Sequence, residues 1–232
     1  MKWGIIGALD KEVALMKKQM KNVQESQIAG KSFVEGKLGN VQVVITQCGV
    51  GKVNAAMVTQ ILVDEFAVSH VINTGVAGGL DRSLKVGDIV VASGAMQHDF
   101  DTSAIGDAPG FIEGPDNQQP TVFYPCAELK EWFLKAADEK KVSCVEGLIA
   151  TGDIFVSAVE LKDIVHDQFG AIAAEMEGGA MAQVATAIAV PFLVVRSISD
   201  LADGSAPESF DAFAEKAAKK VAGLLIQMAK NA

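Results

Sequence analysis

Arginine is nearly missing from this chain: Arg82 and Arg196 are the only two among 232 residues. Proteins that bind phosphate-rich partners use guanidinium groups, whose planar fork matches phosphate oxygens. With no basic cluster and a net charge of −9, the chain repels polyanions, and no nucleic-acid partner is expected. Cysteine is scarce too. Cys48, Cys126 and Cys144 are odd in number, lie mostly in apolar strings and lack metal-ligand spacing, which indicates a reducing, cytoplasmic setting. No apolar run is long enough to span a bilayer, and the N-terminus has no basic stretch followed by an apolar segment and a cleavage site. The expectation is a protein that neither enters a membrane nor is exported. Repeats, low-complexity tracts and linkers are absent.

What the chain does have is apolar mass, 50% of its residues, enough for one well-buried core and a single domain over 1–232. Short β-type runs at 3–8, 41–47, 70–74, 88–92, 145–150, 171–174 and 190–197 carry few polar residues, as in a sheet covered on both faces. Between them, 53–66, 127–141, 159–168, 178–188 and 211–230 have helical periodicity. In the last, Phe213, Ala217, Val221, Leu224, Leu225 and Met228 form an apolar stripe opposite the lysines. The alternation predicts an α/β sandwich. Residues 101–125 break the rhythm with Pro109, Gly110, Gly114, Pro115 and Pro120, and a loop of that length is usually functional or interfacial.

Ligands of open α/β sheets bind outside the carboxyl ends of the strands. Acids cluster there. Glu175 and Glu177 follow one apolar run, Arg196 and Asp200 lie at the end of another, and Asp10 and Glu12 follow the first strand. Each also suits a plainer role: Glu175 and Glu177 favour the N-terminal end of the next helix, and Arg196 with Asp200 makes an ordinary ion pair. Other motifs fall short. Gly49-Val50-Gly51-Lys52 has Thr46 where a P-loop needs its first glycine and Val53 where it needs a hydroxyl. Asn73-Thr74-Gly75-Val76-Ala77-Gly78-Gly79 reads as a strand followed by a glycine-rich turn, which either admits a ligand close to the backbone or is simply tight. His98-Asp99-Phe100-Asp101 has metal-ligand residue types, but His70 and His166 lie in no comparable cluster. A polar loop is the default, with no metal and no cofactor.

Taken in order, Gly4-Ile5-Ile6-Gly7-Ala8 with Glu12, Gly49 to Ala56, Asn73-Thr74-Gly75 with Ala77-Gly78-Gly79, Val86 to Val91, Gly152-Asp153 with Phe155, Glu175-Met176-Glu177, and Arg196 with Ser199-Asp200 resemble bacterial 5'-methylthioadenosine/S-adenosylhomocysteine nucleosidases. These belong to the purine nucleoside phosphorylase superfamily. The resemblance runs over the whole chain and implies a three-layer α/β/α sandwich with a twisted mixed central sheet, assembled as a homodimer. It implies hydrolysis of the N-glycosidic bond, which needs a proton donor at the base and an activated water at the sugar. By resemblance, Asp200 is the acid at adenine N7 with Ser199 orienting it, Glu12 polarises the water, Glu177 accepts the ribose hydroxyls and Arg196 organises the water side. Phe155 stacks on adenine, the backbone of Val156 reads its edge and Met176 lies under the ribose. Ala8 and Gly78 are placed in the same pocket. Leu9, Val50 and Phe210 surround the 5' group, with Thr102 and Ile105 on a loop that crosses to the neighbouring subunit.

The chain departs from the family at Val76, where a hydroxyl is common, and at Thr102 and Ile105, where bulkier apolar residues are common. The small-molecule partner implied is a 5'-thio-substituted adenine nucleoside. Two alternatives stand beside it: a hydrolase of a 6-amino-6-deoxyfutalosine-type nucleoside, and a non-catalytic adenine-nucleoside sensor. Retention of Glu12, Glu177 and Asp200 together argues against the sensor.

Overall fold

Strands β1 (Lys2–Gly7), β4 (Val41–Gln47), β5 (His70–Gly79) and β9 (Phe192–Asp200) are built from aliphatic residues on both faces and run parallel in the order β4-β1-β5-β9. The computed structural model describes residues 1–202 and 206–232, with side chains in the last stretch described from 213 onward. Successive strand side chains point to opposite faces, so the sheet has two cores. On one, Trp3, Ile5, Val43, Ile72 and Val195 pack against α1 (Asp10–Gln19), α3 (Ala127–Glu139) and α6 (Ala206–Asn231). On the other, Ile6, Val44, Val71 and Val194 pack against α2 (Lys52–Asp64) and α5 (Gly178–Ala187). A smaller cluster under α4 (Val159–Phe169) includes Val165, Met96 and Ala150.

The sheet is mixed. Strand β9 pairs antiparallel with β6 (Ile89–Gln97), β6 parallel with β7 (Cys144–Thr151), and β7 parallel with β8 (Ala173–Glu175). Strand β8 returns antiparallel to β5 at Gly78 and Gly79. Strands β5, β9, β6, β7 and β8 thereby form a closed ring, and closure removes their exposed edges.

Several elements differ from the sequence expectations. The hairpin β2 (Lys21–Ile28) and β3 (Lys31–Leu38) had no strand signal, because β2 is an edge strand almost wholly in solvent and needs no apolar alternation. Its turn uses Ala29 and Gly30, both at positive φ (50° and 73°), as a two-residue hairpin loop requires. Helix α1 was likewise not anticipated, although Asp10 and Glu12 in its first turn and Lys17 and Lys18 in its last complement the helix dipole. The glycine-rich segment after Thr74 is not a turn: Gly75 to Gly79 continue β5 beside β9. Asp10 and Glu12 lie past β1 and Glu177 past β8, as expected, but two acids are the last residues of their strands. Asp200 ends β9, and Glu175 ends β8.

Candidate active site

At the carboxyl ends of β1, β5, β8 and β9 lies a cavity of about 260 Å³, lined by Ala8, Leu9, Glu12, Val50, Val76, Ala77, Gly78, Ile154, Phe155, Val156, Ala174, Glu175, Met176, Glu177, Ser199 and Asp200. Four acids, Glu12, Glu175, Glu177 and Asp200, separated by up to 188 positions in sequence, meet here because the strands they end or follow are neighbours. None of the described lining residues is cationic.

Glu12 is held from both sides. It is the third residue of α1, and its Oε2 accepts the Leu9 N–H (2.8 Å) while Oε1 accepts the Val76 N–H (3.0 Å) from β5. Gly75 makes the approach possible, since a Cβ there would come within 2.5 Å of Glu12 Oε1. Burial pushes the Glu12 carboxyl upward against the opposing pull of its backbone hydrogen bonds and the Arg196 charge.

Glu177 precedes α5, and its Oε1 accepts the Gly51 N–H (2.9 Å) at the start of α2. A helix N-terminus suits a carboxylate, but burial, reinforced by the Glu175 charge, pushes its pKa up to about 8. A carboxyl that binds its proton more tightly folded than unfolded contributes stability below its unfolded pKa, and that contribution disappears as pH rises through the folded value. Glu177→Gln keeps an oxygen for the Gly51 N–H. The variant should therefore melt higher than the wild type at pH 9, by roughly 1–3 kcal/mol or about 2–10 °C, with the gap closing by pH 5. Equal melting curves at both pH values would contradict the burial argument.

Asp200 is fully buried, at 1% exposure. Its Oδ2 accepts the Ser199 hydroxyl (2.9 Å) and its Oδ1 the Ala202 N–H (3.1 Å). Opposite it stands Gly78, where a Cβ would sit 3.2 Å from Asp200 Oδ1.

Glu175 and Arg196 play a different part. The Glu175 carboxylate accepts the N–H groups of Glu177 and Gly178 and the Thr151 hydroxyl, capping α5. This is the plainer role open to it from sequence. Arg196 lies behind the cavity wall, 1% exposed, paired with Glu175 and hydrogen-bonded to Asn73 Oδ1. It does not pair with Asp200. Burial alone would depress its pKa, but the charges of Glu175, Glu177 and Glu12 hold it above its ordinary value. The Arg196 charge thus bears on Glu175, Glu177 and Glu12 from behind the wall, not from the lining.

Of the other residues expected at the site, Ala8, Leu9, Val50, Gly78, Phe155, Val156, Met176 and Ser199 line the cavity. Thr102 and Ile105 do not. Thr102 precedes a 3-10 turn (Ser103–Ile105) and bonds Asp107 (2.8 Å), and Ile105, the last residue of that turn, is 82% exposed. The side chain of Phe210 lies outside the described residues. Ala77, Ile154 and Ala174 in the lining and Asn73 behind it were not among the expected site residues; the apolar Ile154-Phe155 pair directly after Gly152-Asp153 was the available signal for Ile154.

The sequence model of the phosphorylase superfamily matches residues 2–230. A 5'-methylthioadenosine/S-adenosylhomocysteine nucleosidase of Shewanella denitrificans is 42% identical over 230 residues, covering 98% of each chain. The Colwellia psychrerythraea nucleosidase of the same name, solved in complex with adenine, is 41% identical with a TM-score of 0.92, over 99% of this chain and 94% of that one. The native futalosine hydrolase of Helicobacter pylori is 35% identical with a TM-score of 0.94, over 100% of this chain and 98% of that one. With near-complete coverage and the same mixed sheet, this chain belongs to the phosphorylase superfamily, among its 5'-methylthioadenosine/S-adenosylhomocysteine nucleosidases.

Proposed function

We propose that the protein hydrolyses the N-glycosidic bond of 5'-methylthioadenosine and S-adenosylhomocysteine, releasing adenine and the 5-thio-substituted ribose. The observation that carries this reading is the meeting of Glu12, Glu177 and Asp200 in one cavity whose remaining wall is largely apolar. Phe155 and Val156 hold the base, Met176 and Glu177 the ribose, and Leu9 and Val50 the alkylthio group. As the bond from C1' to N9 breaks, its electron pair goes to adenine, and Asp200 gives a proton to N7. Water held by Glu12 bonds to C1' and yields its proton to the Glu12 carboxylate. Transfer of that proton back to Asp200 through solvent completes the cycle.

Ser199 fits both states of the acid. Its hydroxyl lies 2.9 Å from Asp200 Oδ2 and 3.3 Å from the Ala77 carbonyl. It donates to the carboxylate when Asp200 is ionised, and can turn to Ala77 and accept when Asp200 carries the proton.

Water is the nucleophile because none of the described lining residues suits phosphate. Arg196 is engaged by Glu175, Arg82 is exposed outside the lining, and Glu12 repels an anion. Adenine should be released from methylthioadenosine at the same rate with and without phosphate, the sugar product being methylthioribose. A phosphate-dependent rate yielding methylthioribose 1-phosphate would overturn the hydrolase reading, and a parallel arm with 6-amino-6-deoxyfutalosine would rank the alternative substrate.

We also propose a homodimer, working in the cytoplasm in methionine salvage without a cofactor or nucleic-acid partner and acting as a single domain. Around the cavity mouth Val50, Val53, Ile154 and Phe155 are 46–79% exposed, an apolar rim suited to a second copy whose Thr102 and Ile105 reach the site. Sedimentation as a monomer at micromolar concentration would count against it. Cys48, Cys126 and Cys144 are all free thiols, in keeping with a reducing compartment.

A further inference from the structure

Two sequence motifs that matched neither a P-loop nor a metal site come together in one place. Lys52, from the Gly49 to Lys52 motif, is the first residue of α2, and its Nζ donates to Asp99 Oδ1 (2.6 Å), from the His98 to Asp101 motif after β6. The other oxygen of Asp99 accepts the backbone N–H of Asp153 (2.8 Å). Asp153 closes the circuit, because its Oδ1 accepts the backbone N–H of Lys52 (2.8 Å). The residue before Lys52 is Gly51, whose N–H goes to Glu177. Successive N–H groups of one helix end are therefore divided between the ribose-side acid and the loop 152–158 that carries Phe155 and Val156.

The pair is not a loose surface contact. The Lys52 and Asp99 side chains are only 18% and 14% exposed, where screening is weak. Burial pushes the Asp99 carboxyl up, but the Lys52 hydrogen bond, the Asp153 N–H and the Lys52 and His98 charges together hold it below its ordinary value. Next to it, the His98 N–H donates to the Thr151 carbonyl (2.9 Å), and its ring packs so closely on Gly152 that a Cβ there would collide with it. The two loops are thus fitted to each other along their length.

We infer that Lys52 and Asp99 are positioning residues that clamp the adenine-side loop 152–158 onto the end of α2 that also seats Glu177. Neither touches the cavity. Their effect is transmitted through Asp153, so that placement of the base and placement of the ribose acid are set by one helix end. The inference rests on the reading that Phe155 and Val156 hold adenine.

The test compares Asp99→Asn, Lys52→Met and Lys52→Arg with the wild-type chain. Amide hydrogen exchange at Gly152 and Asp153, whose N–H groups are bonded to the Glu175 carbonyl and to Asp99, should speed up about tenfold in the first two while exchange in β1 stays unchanged, a local loosening that general destabilisation does not produce. The inhibition constant for free adenine should rise about tenfold, and KM for methylthioadenosine should rise more than kcat falls, since misplacement of a binding group by about 1 Å has effects of this order. Lys52→Arg should recover most of both. Unchanged exchange at Gly152 and Asp153, or acceleration spread equally over β1, would overturn the clamp. A wild-type protein that releases no adenine from any nucleoside would instead overturn the proposed function, and the exchange measurement would still decide the clamp.

Discussion

Asp200→Asn should fold as the wild type does, bind methylthioadenosine, and turn it over about a hundredfold to ten-thousandfold more slowly, the range lost when a positioned proton donor is removed. The local hydrogen bonds explain why the fold survives. An asparagine oxygen can accept the Ala202 N–H as Asp200 Oδ1 does, and its amide group can donate to Ser199 Oγ while that hydroxyl turns to the Ala77 carbonyl. What the amide cannot do is hand a proton to N7. The measurement is kcat under saturating substrate beside a thermal melt; near wild-type turnover in a well-folded variant would remove Asp200 from the acid role.

Glu12→Gln should lose activity on the same scale, about two to four orders of magnitude in kcat, for a different reason. Both oxygens of Glu12 already accept backbone N–H groups, from Leu9 and Val76. A glutamine must present its NH₂ to one of these donors, so it loses the base and also disturbs the carboxylate seat, at a cost of about 1–3 kcal/mol for the unsatisfied group. Set against this is relief from burying a charge. The contrast with Glu177→Gln is therefore diagnostic: the amide is accommodated at 177 and opposed at 12, although both acids are buried and their carboxyls are pushed upward by that burial. If Glu12→Gln turned over at the wild-type rate, the water would have to be activated elsewhere.

Much of the fold was legible because burial on two faces writes itself as continuous apolar runs. β4 and the central part of β9 show this plainly, and α3 and α6 carry helical apolar stripes. β2 was not legible, since an exposed edge strand such as Lys21–Ile28 is polar throughout and its order comes from pairing with β3. The full length of β5 was hidden for another reason: glycines at 75, 78 and 79 normally mark a turn, but here Gly75 and Gly78 allow Glu12 and Asp200 to approach a strand. Candidate acids could be selected by their places near strand ends. Their division of labour could not be read from pattern or spacing, and came only from the family resemblance, because Glu175 and Glu177 are two residues apart and have the same chemistry. Only the partners distinguish them, with Glu175 capping α5 and pairing with Arg196 while Glu177 binds Gly51. The Lys52, Asp99 and Asp153 contacts join positions 47 to 101 residues apart, and no local pattern records such a meeting.

The closed ring of strands also sets when the enzyme can begin to work. Pairings β6–β7, β7–β8 and β8–β5 involve residues no later than Glu175, whereas both remaining joints, β5–β9 and β9–β6, wait for Phe192–Asp200. During synthesis the chain must hold an open arc with unpaired edges until this last strand emerges, a long-range closure of the kind that slows folding and exposes intermediates to aggregation. The strand that seals the ring ends in Asp200. A chain arrested before that strand therefore has neither a finished barrel wall nor its acid, and recovery of adenine release during refolding becomes a direct clock for ring closure.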